Sequence, residues 1–320
     1  MIFVLQLYSD PNLFANKSYL GNVTLSLRKR FKLKKNFFTP KMAFRKLTDT
    51  EFEEIIAAID QNYIRKCKVC NSKMHPRVGE LRMFVCKEKF CTKRWNPVVG
   101  WHNTVFHKAR IEKIQILKIL EAWMNKSSLN NMVYMFNLSR KTIFKLLKRL
   151  RKSLVPKYYS SMSKIGGDNI IIEIDESKFG KRKYHKGHKV EGVWVLGMAE
   201  RVPHRKVNLF VVDNRKQATL TKIIRSSVHE SSTIKTDCWR AYIGLENYFS
   251  GHQTVNHSRF FKDPITGCHT NTIEGTWAGV KMCIPHRMRT KKDIPLFLVR
   301  YMLLRNEIIH PLRSLIKYLF

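Results

Sequence analysis

Three acidic residues stand close together in an otherwise apolar stretch, IIIEIDESKFG, at residues 170–180. They are Glu173, Asp175 and Glu176, in a chain with only 24 acidic residues against 60 basic ones. Side chains alternate along a strand, so Glu173 and Asp175 share one face, while Glu176 points to the other and is expected to serve a turn. A carboxylate at the end of a buried strand is costly unless a cation or a hydrogen-bond donor meets it. We therefore expect a ligand beside Asp175.

Two further acids occupy comparable places. Asp237 follows the predicted strand STIKT at 232–236, and Glu274 begins a predicted helix at 273–284. With Asp175, these carboxylates can converge on a pair of divalent cations, for which oxygen ligands and an incomplete shell favour Mg²⁺ or Mn²⁺. Such a pair stabilises both the attacking and the leaving oxygen of a phosphodiester. For each acid alone, capping a turn or complementing a helix dipole is the alternative, and Asp213 also ends a strand.

Four of the seven cysteines fall within one 25-residue window, as CKVC (67–70) and CKEKFC (86–91). The Cys-x-x-Cys turn and a second pair beyond a short hairpin, with LRMFVC as a strand, predict a structural zinc ribbon with tetrahedral thiolate ligands. The second pair is wider than usual, His75 is a possible substitute ligand, and a chance cluster of buried thiols is the alternative. The predicted zinc ligands are Cys67, Cys70, Cys86 and Cys91.

Residues 111–155 are predicted to be helical, with a break near 125–128 and a final basic helix that Ser139 caps. A short helix, a turn and a basic helix are typical of a helix-turn-helix unit, whose last helix can enter a major groove. Plain packing of three helices is the alternative. The predicted DNA-binding residues are Arg140, Lys141, Lys145, Lys148, Arg149 and Lys152, together with Arg287 and Arg289 from the basic stretch PHRMRTKK (285–292).

The formal net charge of +36 indicates a polyanionic partner, with double-stranded DNA as the first candidate. A membrane surface is disfavoured, because no apolar segment is long enough to span and no basic amphipathic anchor is visible. The stretch 1–46 ends in a basic run, RKRFKLKK, and fits a nuclear address, a phosphate-binding arm or a solvated tail. A secretory signal is not expected at the N-terminus, and the clustered cysteines favour metal binding in a reducing compartment.

After residue 166 the pattern changes to strands at 170–174, 191–199 and 206–212, a helix at 217–228, a strand at 232–236, a helix at 239–249, a strand at 252–257 and a helix at 273–284. Three strands followed by alternating helices and strands predict an α/β ribonuclease-H-like domain, a mixed sheet with flanking helices. The tryptophans Trp194, Trp239 and Trp277 are assigned to the core rather than to base-stacking surfaces.

The stretches IIIEIDESKFGKRKYHKGHKVEGVWVLGMAER (170–201) and VNHSRFFKDPITGCHTNTIEGTWAGVK (255–281) resemble the Merlin superfamily of DDE transposases and their bacterial insertion-sequence relatives. The resemblance covers roughly residues 50–305. It implies a catalytic triad of Asp175, Asp237 and Glu274, and cut-and-paste movement of a DNA element bounded by terminal inverted repeats.

The expected domains are a basic extension (1–46), a zinc ribbon (47–107), a helix-turn-helix-like unit (108–160), a ribonuclease-H-like DDE transposase domain (161–306) and a C-terminal tail (307–320). The expected partners are the DNA of the element ends and of the target site, bound by a homodimer or a higher oligomer. The expected location is the nucleus in a eukaryotic host and otherwise the cytoplasm or nucleoid. The rival functions are a domesticated, catalytically silent DNA-binding protein and a ribonuclease-H-like nuclease.

Overall fold

The computed structural model describes residues 46–62, 65–78, 80–99, 104–107, 109–180, 192–256, 259, 263–264, 267–307 and 310–320. The basic extension predicted at 1–46 lies outside these residues, apart from Lys46. None of the helices in the described ranges is both long and apolar enough to cross a bilayer.

The described helices are α1 (Asp49–Asn62), α2 (Lys113–Met124), α3 (Leu129–Phe136), α4 (Arg140–Ser161), α5 (Gln217–Ser227), α6 (Asn271–Cys283), α7 (Ile294–Asn306) and α8 (Pro311–Leu319). The described strands are β1 (Met74–Arg77), β2 (Glu80–Cys86), β3 (Val98–Val99), β4 (Ile171–Phe179), β5 (Val193–Glu200), β6 (Val207–Val212), β7 (Thr233–Asp237) and β8 (Gly251–Val255). Short 3-10 turns lie at Arg240–Tyr242, Leu245–Asn247 and His286–Met288.

A five-stranded mixed sheet in the order β6-β5-β4-β7-β8 forms the centre of the C-terminal half. Strands β4, β5 and β6 pair antiparallel, whereas β7 runs parallel to both β4 and β8. One face packs against α6 and α7 and the other against α5, so helices flank the sheet on both sides. The prediction of an α/β domain with a mixed sheet is confirmed, and the finer ribonuclease-H-like assignment stays an interpretation.

The side chains of β4 alternate between the two faces of the sheet, so this one strand contacts the helices on both sides. Ile172 and Ile174 are fully buried in the cluster that contains α5. The alternate residues Glu173 and Asp175 face α6, where the carboxylate of Glu173 meets the start of that helix and that of Asp175 accepts from Trp277. Burying opposite faces fixes the register of a strand, because a slip by one residue would exchange the two faces. The side-chain alternation predicted for Glu173 and Asp175 is therefore observed.

The helical region shares a continuous apolar core with α7 and α8. Segment 307–320, predicted to be a tail, contains α8, and its Leu312, Leu315 and Leu319 are buried. Helix α8 packs against α2 and α4. The C-terminal segment is therefore part of the helical core.

Two local predictions differ from the structure. The predicted helix at 239–249 is instead a pair of 3-10 turns. Helix α4 continues through Pro156 to Ser161, although proline removes a hydrogen bond within a helix. The extension is held by tertiary contacts, since Tyr158 is buried and the Tyr159 hydroxyl donates to the carbonyl of Leu209 at 2.8 Å.

Strands β1, β2 and β3 form a separate three-stranded antiparallel sheet around the cysteine window. Its buried cluster is small and consists of Met74, Phe84 and the thiols of Cys67, Cys86 and Cys91, with Cys70 packed against it. Three of these five buried side chains are cysteines, so little apolar packing is left to stabilise the unit.

Candidate active site

Asp175 and Asp237 lie on neighbouring parallel strands at matching levels. In the pairing of β4 with β7, Ile171 is opposite Thr233 and Glu173 is opposite Lys235. Continuing this register by two residues sets Asp175 opposite Asp237. Asp237 is the last residue of β7, whereas Asp175 lies in the middle of β4, which continues to Phe179, so the prediction that Asp175 ends a strand is wrong. Both side chains are partly exposed. The first two predicted triad residues are therefore brought together.

Glu274 occupies the first turn of α6, the helix that packs across β4 and β5. From the same helix, the indole nitrogen of Trp277 donates to Asp175 Oδ2 at 3.0 Å. The indole fits because Gly197 has no side chain; this residue lies on β5, opposite Asp175 on β4. A Cβ at Gly197 would lie 2.6 Å from the Trp277 ring. The close approach of helix and strand sets the third acid over the first.

The three acids interact electrostatically. Burial raises the pKa of Asp175, the hydrogen bond from Trp277 lowers it, and the charges of Asp237 and Glu274 raise it further. Like charges gathered in one place disfavour ionisation, and a bound cation would relieve that repulsion. Within the part of the chain that is described, only the four cysteines have ligand atoms all within 4.8 Å of one another. The carboxylates would therefore have to move closer together to share an ion.

Two of the acids also make local hydrogen bonds of the kind expected if they only capped a turn or a helix. Asp237 Oδ1 accepts from the backbone N–H of Trp239 at 3.0 Å, as in a turn, and Glu274 Oε1 accepts from the Thr270 hydroxyl at 3.0 Å. Asp213, the other acid that ends a strand, is exposed and pairs with Lys291 at 2.5 Å. The geometry thus separates Asp213 from the other three.

Glu176 does not serve a turn as predicted, because β4 continues three residues beyond it. It lies next to Asp175 on the opposite face, where burial raises its pKa to about 7, with a further contribution from the charges of Asp175 and Asp237. Its Oε1 is buried and has no hydrogen-bond partner among the described residues. A carboxyl group therefore lies on each face of β4 at this level of the sheet.

Sequence reasoning did not assign a role to Glu173, which the structure places at the start of α6. This carboxylate is 0% exposed, and its Oε2 accepts from the backbone N–H groups of Thr272 (2.6 Å) and Ile273 (3.0 Å). Arg201 Nε donates to Oε1 at 2.8 Å, and Arg201 also binds the carbonyl of His269 at 2.8 Å. The strand therefore fixes the helix turn that carries Glu274. The only sequence signal was a buried acid and an arginine, each on a predicted strand or at its end.

Among the described residues, the four predicted zinc ligands form a cluster that could hold a metal ion. The sulfur of Cys67 lies 3.7 Å from that of Cys91, and the sulfur of Cys70 lies 3.5 Å from that of Cys86. Tetrahedral zinc with Zn–S bonds of about 2.3 Å separates its sulfurs by about 3.8 Å, close to these values. The backbone N–H of Ser72 lowers the pKa of Cys70 to about 6, which favours the thiolate. His75 is not a member of the cluster.

The predicted DNA-binding residues of α4 are displayed on one surface. The side chains of Ile143, Leu146, Leu150 and Leu154 are buried, and the Ser139 hydroxyl caps the helix by accepting from the N–H of Thr142. Five basic residues are exposed and Arg149 is partly buried, the exposed set being Arg140, Lys141, Lys145, Lys148 and Lys152. A basic surface is therefore available, while its role in a helix-turn-helix unit stays a prediction.

The two arginines after α6 differ. Arg287 is exposed, whereas Arg289 donates to the carbonyls of Lys281 (2.6 Å) and Ile284 (3.1 Å) at the end of the helix. These bonds give Arg289 a capping role in the fold.

Comparison with known proteins bears on the part of the chain that carries the three acids, and not on the cysteine cluster or α4. Residues 165–292 match the family model of the ISXO2-like transposase domain. The resemblance to DDE transposases is confirmed. The matched transposase domain comprises 128 of the 320 residues and includes β4 to α6, and hence Asp175, Asp237 and Glu274. No curated protein matches the chain.

Proposed function

We propose that the chain is a DNA transposase that binds terminal inverted repeats and catalyses strand cleavage and strand transfer in cut-and-paste transposition. One observation carries the proposal. Asp175 and Asp237 are at the same level of adjacent parallel strands, under a helix whose first turn carries Glu274. We infer a ribonuclease-H-like fold from the sheet order, because the three antiparallel strands continue into two parallel ones.

The three carboxylates fit divalent cations by their chemistry. They are hard oxygen donors, and burial, with a smaller contribution from the charges of Asp237 and Glu274, raises the pKa of Asp175, so a bound cation would favour its ionised form. Two Mg²⁺ or Mn²⁺ ions, when bound, would stabilise the attacking and leaving oxygens of the phosphodiester. Asp175, Asp237 and Glu274 are the residues that would hold these ions.

Other residues of the chain are proposed to position the acids and to bind the DNA. Trp277 orients the Asp175 carboxylate, and Glu173 with Arg201 fixes the turn that carries Glu274. The exposed cations of α4 and Arg287 are proposed to neutralise DNA phosphates, which fixes the register of the duplex relative to the acids. The cysteine cluster is proposed to bind a structural zinc ion, and this ribbon, together with α4, to recognise the element ends.

We also propose that two or more copies act together, because an element has two ends that must be joined to one target. In a eukaryotic host the site of action would be the nucleus.

The decisive experiment replaces Asp175 by Asn and measures cleavage of duplex DNA that carries the inverted repeats flanking the coding sequence, with Mg²⁺. Cleavage should fall by at least about a thousandfold, since the amide removes a charge that a shared ion requires. DNA affinity, measured by fluorescence anisotropy, should change by less than about threefold.

The matched control is Asp213→Asn, which removes an exposed carboxylate that follows β6 and pairs with Lys291. It should cleave at the wild-type rate. Full activity in Asp175→Asn would exclude Asp175 as an essential group, and tight binding by a wild-type protein that never cleaves would favour the domesticated DNA-binding rival.

A further inference from the structure

Two tryptophans and an arginine form a cluster beside the candidate active site. The guanidinium carbon of Arg215 lies 3.8 Å from the ring centroid of Trp194 and 4.9 Å from that of Trp239. Trp194 is on β5, and Trp239 comes two residues after Asp237, whose carboxylate accepts from its backbone N–H. We name these three residues the Trp-Arg cluster. This hydrogen-bonded turn therefore holds Trp239 next to Asp237, one of the proposed catalytic acids.

The exposure of Trp239 contradicts its assignment to the core. Trp277 is 5% exposed, in agreement with that assignment, but Trp239 is 38% exposed and carries a cation against its ring. Arg215 lies over the Trp239 ring, and the exposed remainder of this side chain contributes little to core packing but is accessible to a planar ligand.

The space next to the cluster selects the chemistry of that ligand. An open cleft of about 620 Å³ is lined by Arg215 and Trp239 and by the further cations Lys216 and Arg240. None of the described residues that line it is acidic, and Ile243 adds an apolar side chain that is 65% exposed. The volume falls within the range of about 300–1,000 Å³ typical of small-ligand sites. The cleft therefore suits a ligand that combines a flat apolar ring with negative charge.

We propose that the Trp-Arg cluster stacks an unpaired nucleobase of the DNA strand held at the candidate active site. The inference rests on the proposed function, because the acids place the DNA backbone next to the cluster. A nucleobase offers the flat ring, and its flanking phosphates offer the charge that the surrounding cations match. In an intact duplex both faces of a base are covered by its neighbours, so only an unpaired base can occupy the platform.

The test measures binding without added divalent cation, so that strand cleavage does not enter. Full-length protein is titrated into fluorescein-labelled (dT)20 and into the matching 20-base-pair duplex, with anisotropy as the signal. Trp239→Ala should weaken binding to (dT)20 by about tenfold and binding to the duplex by less than about twofold. Trp239→Phe should restore most of the affinity for (dT)20, because it keeps a stacking ring. Both variants retain the backbone N–H that Asp237 accepts.

The chain offers a matched control at the other end of α5. Tyr248 is 39% exposed, and the guanidinium carbon of Arg225 lies 4.2 Å from its ring centroid. Arg225 is about 12 Å along the helix axis from Gln217, the first residue of α5. Tyr248→Ala should leave both affinities unchanged.

Equal weakening of (dT)20 and duplex by Trp239→Ala, or no weakening of either, would overturn the proposal. The result is independent of catalysis. A wild-type protein that binds (dT)20 through Trp239 but never cleaves would contradict the proposed function and leave the stacking platform standing.

Discussion

At the scale of single residues, the indole of Trp277 is the side chain that orients Asp175. Its N–H binds Oδ2, and its ring occupies the space that Gly197 leaves free. Groups that hydrogen-bond to a metal ligand set its orientation, and their loss commonly costs 10- to 100-fold in metal affinity or activity. Trp277 is therefore expected to matter for cation binding without contacting the cation.

Trp277→Phe should raise the Mg²⁺ concentration for half-maximal cleavage by roughly tenfold, because the phenyl ring preserves packing but lacks the donor. The measurement is the cleavage rate as a function of Mg²⁺ concentration. Trp123→Phe is the matched control, since the Trp123 N–H is buried without a hydrogen-bond partner among the described residues. The same Mg²⁺ requirement in both variants would contradict the orienting role.

At the scale of secondary-structure elements, Glu173 joins β4 to α6. Its carboxylate accepts two N–H groups of the first helical turn, which have no partner within the helix, and its charge is matched by Arg201. A carboxylate at this end also interacts favourably with the helix dipole. The position of Glu274 thus depends on a residue in the strand that carries Asp175.

Glu173→Gln should lower the free energy of unfolding by about 3 kcal/mol, because Arg201 loses its buried counter-charge. Urea denaturation of the full chain measures this loss. The control is Asp60→Asn, which breaks the largely exposed pair of Asp60 with Lys113 and should cost less than about 1 kcal/mol. Equal midpoints and slopes for the two variants would show that the Glu173–Arg201 pair contributes no more to stability than the Asp60–Lys113 pair.

Helices and strands were predictable from the sequence where they depend on the local spacing of apolar residues. Helix α5 spans Gln217–Ser227 where a helix was predicted at 217–228, and the strands of the central sheet lie within a few residues of their predicted ranges, because periodic burial is visible in the order of apolar residues. The helix through Pro156 and the 3-10 turns at 240–247 depend on distant packing instead. The bond from Trp277 to Asp175 spans 102 positions, and no spacing rule reveals it.

At the scale of the whole molecule, the described residues divide their apolar packing unevenly. The helical region and one face of the central sheet share a core that extends from Leu47 to Leu319. The cysteine sheet has a separate cluster of only five buried side chains. Units this small usually need a metal or disulfides to fold, and the seven cysteines are all free thiols. The proposed zinc ion would therefore stabilise chiefly this sheet.

The net charge of +36 also acts at this scale, and its distribution decides how DNA is bound. If the exposed face of α4 contacts phosphates directly, each lost contact should reduce the slope of log K against log[salt] by about 0.9 for duplex DNA. The double variant Lys145→Gln/Lys152→Gln should then reduce the slope by about 1.8. Anisotropy titrations with a 20-base-pair duplex across a range of KCl concentrations give this slope.

The matched variant Lys164→Gln/Lys206→Gln removes the same charge from two exposed residues outside α4. Its slope should remain close to that of the wild type, because residues that do not neutralise a phosphate release no condensed counterions when the protein binds. Equal slopes for the two double variants would mean that α4 attracts DNA only through the general field of the protein. A difference confined to Lys145 and Lys152 would place the phosphate backbone along the basic face of α4.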